Sequence, residues 1–396
     1  MNRLSNIIMT CLFLGCIILV GFIMLLKPDR LNSEFENRKL EQRPVLNKYD
    51  LISGEYFKSY ETYFSDQLFT RDLLIKAYTK LQLSMNKTII NSTVVAEDNW
   101  LMDIPTTSFK KSTFVKSIQQ MNDLASYSTD NNISINLVLA PHKKNILENI
   151  YPKFIQKNVG SRSRDHFAKN IDSKVNYIDL AQHFQDTFTH EQLKEMYFRT
   201  DHHWNLRGAF NSYKYILTQL GDEIVKEELN RPILDYEVRC SNSANFLGSY
   251  NRKLFGLKDY NYEYLCGYFP NDQSHLQKFK AINSRGAEFN NINEVFGRSL
   301  DKAELSYAGI TSSDFAEIKF HYSNISSINM LILKDSYANA IVPFLAQHFS
   351  STSVIDLRHY HEMNVYKYIE ENNINAILIL YNDTNLSGEL YSFDGT

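Results

Sequence analysis

The sequence has few cysteines and no large excess of either charge. These two features argue against a structural zinc site and against a nucleic-acid partner. Its 396 residues include 4 cysteines and carry a net charge of −3. This near-neutrality predicts that nucleic acid is not a partner. No cysteine belongs to a CxxC pair, so a structural zinc site is not expected. Cys240 and Cys266 leave two interpretations open, a disulfide suited to an oxidising compartment or a pair of free thiols.

The chain has one apolar run long enough to cross a membrane, and it lies at the N-terminus. Residues 7–26 are apolar almost without interruption, and roughly twenty such residues can span a bilayer. The run is longer than the apolar part of a signal peptide, and no small-x-small cleavage site follows it. We therefore predict an uncleaved signal anchor within residues 1–30 and no second membrane span.

The charges that flank this run favour the opposite topology from the one we expect. Arg3 precedes the run, and four basic residues follow it closely: Lys27, Arg30, Arg38 and Lys39. Read by the positive-inside rule, this pattern favours a cytoplasmic C-terminal part. A large folded domain can be translocated despite such charges. The family resemblance given below favours an extracytoplasmic catalytic domain over residues 31–396.

Hydrophobic periodicity predicts an α/β domain with a parallel sheet. Short apolar runs predict strands at residues 133–140, 175–180, 328–333, 354–357 and 376–381. Helical spacing of apolar residues predicts helices at 56–84, 109–129, 205–220, 338–349 and 364–372. Strands that alternate with helices build a parallel sheet covered on both faces. Residues from about 221 to 327 lack this alternation, and we expect them to form a β- and loop-rich insertion.

A cluster of polar and aromatic side chains at residues 200–205 (Thr-Asp-His-His-Trp-Asn) is the first candidate for chemistry. It immediately precedes a predicted helix, a place where active-site groups are often held. An aspartate close to a histidine can fix the tautomer of a general base. The alternative is structural, with Asp201 as the helix cap and the histidines as ordinary loop residues.

A serine at the end of a predicted strand is the second candidate. Ser336 follows the apolar run 328–333 and precedes a helix, at the carboxyl end of the sheet, where α/β proteins place their sites. Free amides of the following helix could stabilise an oxyanion there. The alternative is again a plain helix cap, formed by Asp335 and Ser336. Both candidates in one α/β domain are a stronger signal than either alone.

These motifs resemble those of the bacterial DHHW family, which is related to the SGNH-hydrolase-like alginate O-acetyltransferases. The tetrad is residues 201–204, and the serine block is residues 334–339 (Lys-Asp-Ser-Tyr-Ala-Asn). Supporting matches are residues 36–38 (Glu-Asn-Arg), Pro141 with Lys143 or Lys144, residues 151–152, 246–250 (Phe-Leu-Gly-Ser-Tyr), 343–345 and 355–358. The resemblance implies a three-layer α/β/α SGNH-hydrolase-like fold with a central parallel sheet and an N-terminal transmembrane helix.

The resemblance also implies roles for individual residues. Asp201 maps to the orienting carboxylate, His203 to the base and Ser336 to the nucleophile, while His202 falls at a variable position. Substrate-binding or oxyanion contributions are expected among four further residues: Tyr337, Asn339, Arg358 and Trp204. Two features depart from ordinary SGNH hydrolases. The serine comes late in the chain, so the motif order is permuted, and Lys334 replaces the glycine of the usual Gly-Asp-Ser block.

The implied function is transfer of an acetyl group to a cell-surface or exopolysaccharide through an acyl-serine, with no cofactor and no metal. The implied partners are the polysaccharide acceptor and a membrane-bound O-acyltransferase that supplies acetyl groups. One alternative is a carbohydrate acetylesterase with the same three residues and water as acceptor. Another is a non-catalytic glycan-binding protein of the cell envelope. A metal hydrolase at Asp201, His202 and His203 is least favoured, because no further ligand motif accompanies them.

Overall fold

The structure is a computed structural model of the whole chain, and its contacts group the residues into two compact units. It describes residues 3–33, 35–36, 38–155, 158–220, 224, 236–241, 246–258, 263–271, 279–290, 294, 307–310, 314–322 and 326–395. Unit 1 consists of Met1–Asn91 with Arg252–Leu257, and unit 2 of Ser92–Asn251 with Lys258–Thr396. Residues 31–91 therefore group with the N-terminal helix.

Unit 1 is mainly helical. Its helices are α1 (Arg3–Leu26), α2 (Lys48–Ser53), α3 (Glu55–Gln67) and α4 (Arg71–Ser84), and its short strands are β1 (Asn32–Ser33), β2 (Arg38–Lys39) and β3 (Ile89–Ile90). Helix α1 is long and apolar enough to cross a membrane, with none of its residues buried. The single helix predicted at 56–84 is two helices, because Leu68 adopts a non-helical conformation (φ −54°, ψ 121°).

A network of ion pairs fixes helices α3 and α4 of unit 1. Arg38 donates to both carboxylate oxygens of Asp66, each at 2.7 Å. Arg71 donates to Glu36 at 2.6 Å and lies 3.7 Å from Asp66. The pKa of Asp66 is lowered to about 2, mainly because Asp66 accepts hydrogen bonds from Arg38. Glu36 and Arg38, noted in the sequence for their family resemblance, therefore have a structural role; Asn37 lies outside the described residues.

Unit 2 contains the central sheet. Its strands are β4 (Thr93–Val95), β5 (Leu101–Asp103), β6 (Ser134–Ala140), β7 (Asn176–Ile178), β8 (Tyr236–Cys240), β9 (Cys266–Pro270), β10 (Phe279–Asn283), β11 (Glu288–Phe289), β12 (Glu317–Tyr322), β13 (Asn329–Lys334), β14 (Ser351–Ile355) and β15 (Ala376–Asn382). Eight of them form one sheet in the order β11-β10-β12-β14-β13-β15-β6-β7. The pairs from β14 to β7 are parallel, and those from β11 to β14 are antiparallel.

Helices cover both faces of this sheet. The described residues also form the helices α5 (Val115–Asp130), α6 (Lys143–Ile146), α7 (Gly160–Asn170), α8 (Leu180–Thr187), α9 (His190–Lys194), α10 (Leu206–Leu220), α11 (Ser249–Lys253), α12 (Tyr307–Ile310), α13 (Val342–Ala346) and α14 (Val365–Glu371). Successive residues of β13 point to opposite faces: Ile332 joins the core that contains Phe210 of α10, and Leu331 joins the core that contains Leu124 of α5. The predicted three-layer α/β/α fold is confirmed.

The region expected to be an insertion contributes to the sheet as well. Strands β10, β11 and β12 all come from residues 279–322 and extend the sheet on the β14 side. Strands β8 and β9 instead form a separate antiparallel pair that carries a disulfide between Cys240 and Cys266. This bond settles the open interpretation of the two cysteines in favour of the disulfide. Parts of the region, such as residues 225–235 and 295–306, lie outside the described residues.

Candidate active site

Ser336 lies at a tightly held turn directly after β13. Asp335 begins a short 3₁₀ helix, Ser336–Ala340, and its Oδ1 accepts a hydrogen bond from Tyr337 N at 2.9 Å. Its Oδ2 accepts from Asn382 N, Asn382 Nδ2 and Asn385 Nδ2 at 2.7–2.8 Å. Burial raises the pKa of Asp335 although these donors oppose the shift. Asp335 is therefore a cap, as the structural alternative held, and it fixes the serine beside it.

The loop 201–204 brings a carboxylate and an imidazole to this serine. His203 Nε2 lies 2.8 Å from Ser336 Oγ, and His203 Nδ1 lies 2.6 Å from Asp201 Oδ1. Because a carboxylate can only accept, the proton sits on Nδ1 and leaves Nε2 free to accept the proton of the serine hydroxyl. The structure thus brings together the three residues predicted for catalysis, which are 133 positions apart in sequence at the serine–histidine contact.

Asp201 is held as an ionised, oriented group. Its Oδ1 also accepts from His203 N at 3.0 Å, and its Oδ2 accepts from Ser249 N at 2.6 Å. Burial alone would raise its pKa, but the nearby His203 and His202 and the hydrogen bonds it accepts hold the pKa of Asp201 well below its ordinary range. Asp201 is not the cap of helix α10, because Asn205 Oδ1 accepts from Arg207 N and Gly208 N.

The four residues expected to contact substrate or an oxyanion lie around the site in other roles. Trp204 is 0% exposed, and its Nε1 donates to the Tyr337 carbonyl at 3.0 Å, so its ring is part of the core behind the site. Tyr337 is buried, its N–H donates to Asp335 and its hydroxyl to the His202 carbonyl. These two side chains support the loop 201–204 from behind. We call this loop the catalytic loop because of the role predicted for it.

Asn339 and Arg358 are also engaged by neighbouring side chains. Asn339 donates to Asp314 at 2.9 Å and accepts from Lys334 at 2.8 Å. Arg358 forms a two-pronged pair with Asp356 at 2.6 and 2.8 Å. Neither side chain is a free donor toward Ser336. The Ser336 N–H, by contrast, donates to no acceptor among the described residues.

Two charged residues to which the sequence assigned no specific role support the segment 198–200, which leads into the catalytic loop. Glu263 accepts from Thr200 N at 3.0 Å and also from Arg199 N and the Thr200 hydroxyl. Lys143 is fully buried and its Nζ donates to the Phe198 and Arg199 carbonyls at 2.9 and 3.1 Å. Burial lowers the pKa of Lys143 to about 7. Glu263 belongs to none of the motifs identified in the sequence, so no sequence signal points to it.

A glycine permits the close approach of a second segment to the same loop. A Cβ at Gly248 would lie 2.4 Å from the carbonyl carbon and oxygen of Thr200. Past this glycine, Tyr250 N and Asn251 N both donate to that carbonyl, at 3.1 and 3.3 Å. The block 246–250 noted in the sequence therefore braces residue 200, and Ser249 reaches Asp201 directly.

His202 completes a compact group of possible metal ligands. One ligand atom each of Asp201, His202 and His203 lie within 4.8 Å of one another. His202 Nδ1 is 2.7 Å from Ser249 Oγ, and both ring nitrogens of His203 face Asp201 and Ser336. Any ion held by these three side chains would have to displace the hydrogen bonds that connect the serine to the aspartate.

A cleft of about 720 Å³ lies against the segment that leads into the catalytic loop. It is lined in part by Phe198, Arg199, Glu263, Tyr264 and Tyr268, and not by Ser336, His203 or Asp201. Half-exposed Tyr264 and exposed Arg199 give it a mixed aromatic and polar wall. The cleft therefore lies against Phe198 and Arg199, which lead into the catalytic loop, but Ser336 does not line it.

The fold and the serine–histidine–aspartate geometry define an SGNH-hydrolase-like α/β protein. The family model described as the SGNH hydrolase-like domain of acetyltransferase AlgX matches residues 93–275, a range that includes Asp201 and His203 but ends before Ser336. No curated protein matches the chain. Several solved structures do.

Among these, Bacillus cereus PatB1 is 37% identical over 76% of this chain and 99% of its own, with a TM-score of 0.70. The same protein with a sulfonyl adduct is 35% identical over the same shares, with a TM-score of 0.67. A DHHW family protein from Eubacterium siraeum is 17% identical over 76% of this chain and 94% of that one, with a TM-score of 0.58, and shows the fold alone.

The chain belongs to the same family as PatB1. Its match to the SGNH hydrolase-like domain described for acetyltransferase AlgX supports an O-acetyltransferase-like role.

Proposed function

We propose that the protein is a membrane-anchored, extracytoplasmic O-acetyltransferase that modifies a cell-surface or exopolysaccharide through an acetyl-serine. The observation that carries this proposal is the continuous hydrogen-bonded path from Ser336 Oγ through His203 to Asp201, at 2.8 and 2.6 Å. Such a path activates a serine hydroxyl that is otherwise a poor nucleophile.

In the first step, Ser336 Oγ attacks the carbonyl carbon of the acetyl donor while His203 Nε2 takes the hydroxyl proton. The imidazolium is stabilised by Asp201, and the Ser336 N–H faces the developing oxyanion. Collapse of the tetrahedral intermediate expels the donor's leaving oxygen, which receives the proton from His203. The product is acetyl-Ser336 with His203 neutral again.

In the second step, a hydroxyl of the polysaccharide gives its proton to His203 Nε2 and attacks the acetyl-serine. Ser336 leaves with the proton returned by His203, and the acceptor carries the new ester. Water as acceptor would make the same site an acetylesterase. The donor would come from a membrane-bound O-acyltransferase, since acetyl-CoA is not available outside the cytoplasm.

Two features support a membrane anchor and an extracytoplasmic domain. Helix α1 spans 24 residues, most of them apolar, which is long enough to cross a bilayer. The disulfide between Cys240 and Cys266 suits an oxidising compartment and weighs against the cytoplasmic location that the flanking charges favoured. Protease added to intact spheroplasts should digest unit 2; full protection would place it in the cytoplasm.

The roles of the three residues are tested with purified full-length protein and p-nitrophenyl acetate. Ser336→Ala and His203→Ala should each abolish release of p-nitrophenol, and the double variant should be no worse, because the residues act as one unit. Asp201→Asn should lose less, and His202→Ala should retain substantial activity. Full activity of a folded Ser336→Ala protein would exclude the acyl-serine.

The acceptor is tested separately. Acetyl groups appearing on an added acidic or neutral oligosaccharide would support transfer, whereas free acetate alone would favour the esterase. A sulfonyl fluoride should add one sulfonyl group at Ser336, read by intact mass, and His203→Ala should prevent the addition. A folded protein with no turnover and no labelling would leave the non-catalytic glycan-binding function.

A further inference from the structure

Helices α3 and α4 of unit 1 expose many apolar side chains and bury few, whereas the helices of a soluble protein usually do the opposite. In α3 the buried residues are Tyr63 and Asp66, and in α4 they are Thr79 and Gln82. Apolar side chains face outward instead, and we call the following ones the outer apolar face: Phe57, Tyr60, Phe64, Leu74, Tyr78 and Leu81. Soluble helices bury their apolar stripe and expose the polar one, so water is an unsuitable surrounding for this face.

The outward residues form stripes and are not scattered. Leu74, Tyr78 and Leu81 follow the i, i+4, i+7 spacing of one helix side, with exposed fractions of 54–60%. Phe57, Tyr60 and Phe64 follow the i, i+3, i+7 spacing on α3, with exposed fractions of 38–62%. The polar interior holds these helices in place, because Arg38 and Arg71 pair with the buried Asp66.

The junction between α3 and α4 is bonded to the residues that directly follow the membrane helix. Lys27 Nζ lies 5.7 Å from the centre of the Phe69 ring, and the Tyr63 hydroxyl donates to Asp29 at 3.0 Å. Arg30 pairs with Asp72 and donates to the Asp66 carbonyl at 3.2 Å. Helix α1 ends at Leu26. The helix pair is thus held within a few residues of the point where the chain leaves the bilayer.

We propose that the outer apolar face of α3 and α4 lies in the headgroup and acyl boundary of the membrane that α1 spans. The proposal rests on α1 being the anchor. The outer apolar face contacts lipid and not a second protein, because Lys27, Asp29 and Arg30 tie the helix pair to the end of α1. Lipid is therefore always next to this face, whereas a protein partner would first have to reach it by diffusion. Large apolar and aromatic side chains on a helix side are what interfacial helices insert.

The test uses single cysteines in full-length protein reconstituted into lipid vesicles. Cys11 and Cys16 are first replaced by serine, and an environment-sensitive fluorophore is attached at Leu74→Cys or, as the matched control, at Lys76→Cys. Lys76 is exposed on the same helix, about 200° around it from Leu74. Quenching is measured with nitroxide-labelled lipid and with aqueous iodide, and far-UV circular dichroism checks that each protein is folded.

The label at position 74 should be quenched severalfold more by nitroxide lipid than the label at 76, and iodide should show the reverse order. Equal iodide quenching at both positions, without lipid quenching at 74, would overturn the proposal. Protection at 74 that persists in detergent and rises with protein concentration would identify a second copy as the occupant and would also overturn it. In a separate protein in which only Cys11 is replaced, a label at native Cys16 reports the anchor: absence of lipid quenching there would refute the anchoring itself.

Discussion

Replacing the buried Lys143 with methionine should change how the stability of unit 2 depends on pH. Burial lowers the pKa of Lys143 from its ordinary 10.5 to about 7, so between these values the unfolded chain holds a proton that the folded one has released. The free energy of unfolding then rises with pH through this window and falls as pH decreases toward 7.

The size of the effect follows from the two pKa values. Integrated over the titration of this one group, the free energy of unfolding should increase by about 2 kcal/mol between pH 7 and pH 9. The neutral amine keeps two N–H donors, enough for the Phe198 and Arg199 carbonyls that Lys143 contacts. Lys143→Met lacks the titrating group, so its stability should fall further behind the wild type as pH rises.

Denaturant unfolding followed by tryptophan fluorescence measures this difference. Both tryptophans, Trp100 and Trp204, are buried in unit 2, so the signal reports that unit. Lys144→Met is the matched control, since it removes a neighbouring positive charge that is partly exposed. Curves for wild type and Lys143→Met that run parallel from pH 7 to pH 9 would show that the lysine does not titrate in this window.

Two further predictions concern the support of the catalytic loop. Gly248→Ala should lower kcat for ester hydrolysis by about tenfold or more, because its methyl group would overlap the Thr200 carbonyl at 2.4 Å; an unchanged rate would show that the loop accommodates it. Glu263→Gln should lower kcat by about tenfold with little change in KM, since one acceptor oxygen facing the backbone N–H groups becomes a donor. The exposed Glu191→Gln is its control, and equal rates in both variants would exclude the positioning role.

Elements whose apolar pattern is continuous and local could be predicted from the sequence. The runs that became β6, β13 and β15 are buried along almost their whole length, so composition alone identified them. The helix break at Leu68 was missed because the apolar spacing continues through it. Strands β10 and β12 were not assigned to the sheet, since antiparallel edge pairing depends on partners distant in the chain.

The candidate site shows the same division. Asp201 and His203 are two residues apart, so their hydrogen bond could be anticipated from spacing. Arg358 pairs with Asp356 two positions away, a proximity that the sequence already contains. Glu263 accepts a hydrogen bond from Thr200, which is 63 positions away, and no local pattern in the sequence indicates this contact.

The position of β13 between β14 and β15 bears on when, during synthesis, the proposed active site can form. Both flanking strands come later in the chain, and Asn382 at the end of β15 also bonds Asp335 beside the serine. A nascent chain that carries Ser336 but not residues 376–382 lacks one neighbour of the serine-bearing strand and the donors that hold its turn. Under the proposed function, turnover should therefore begin only after residues 376–385 have been made, because Asn382 and Asn385 hold the turn that carries Ser336.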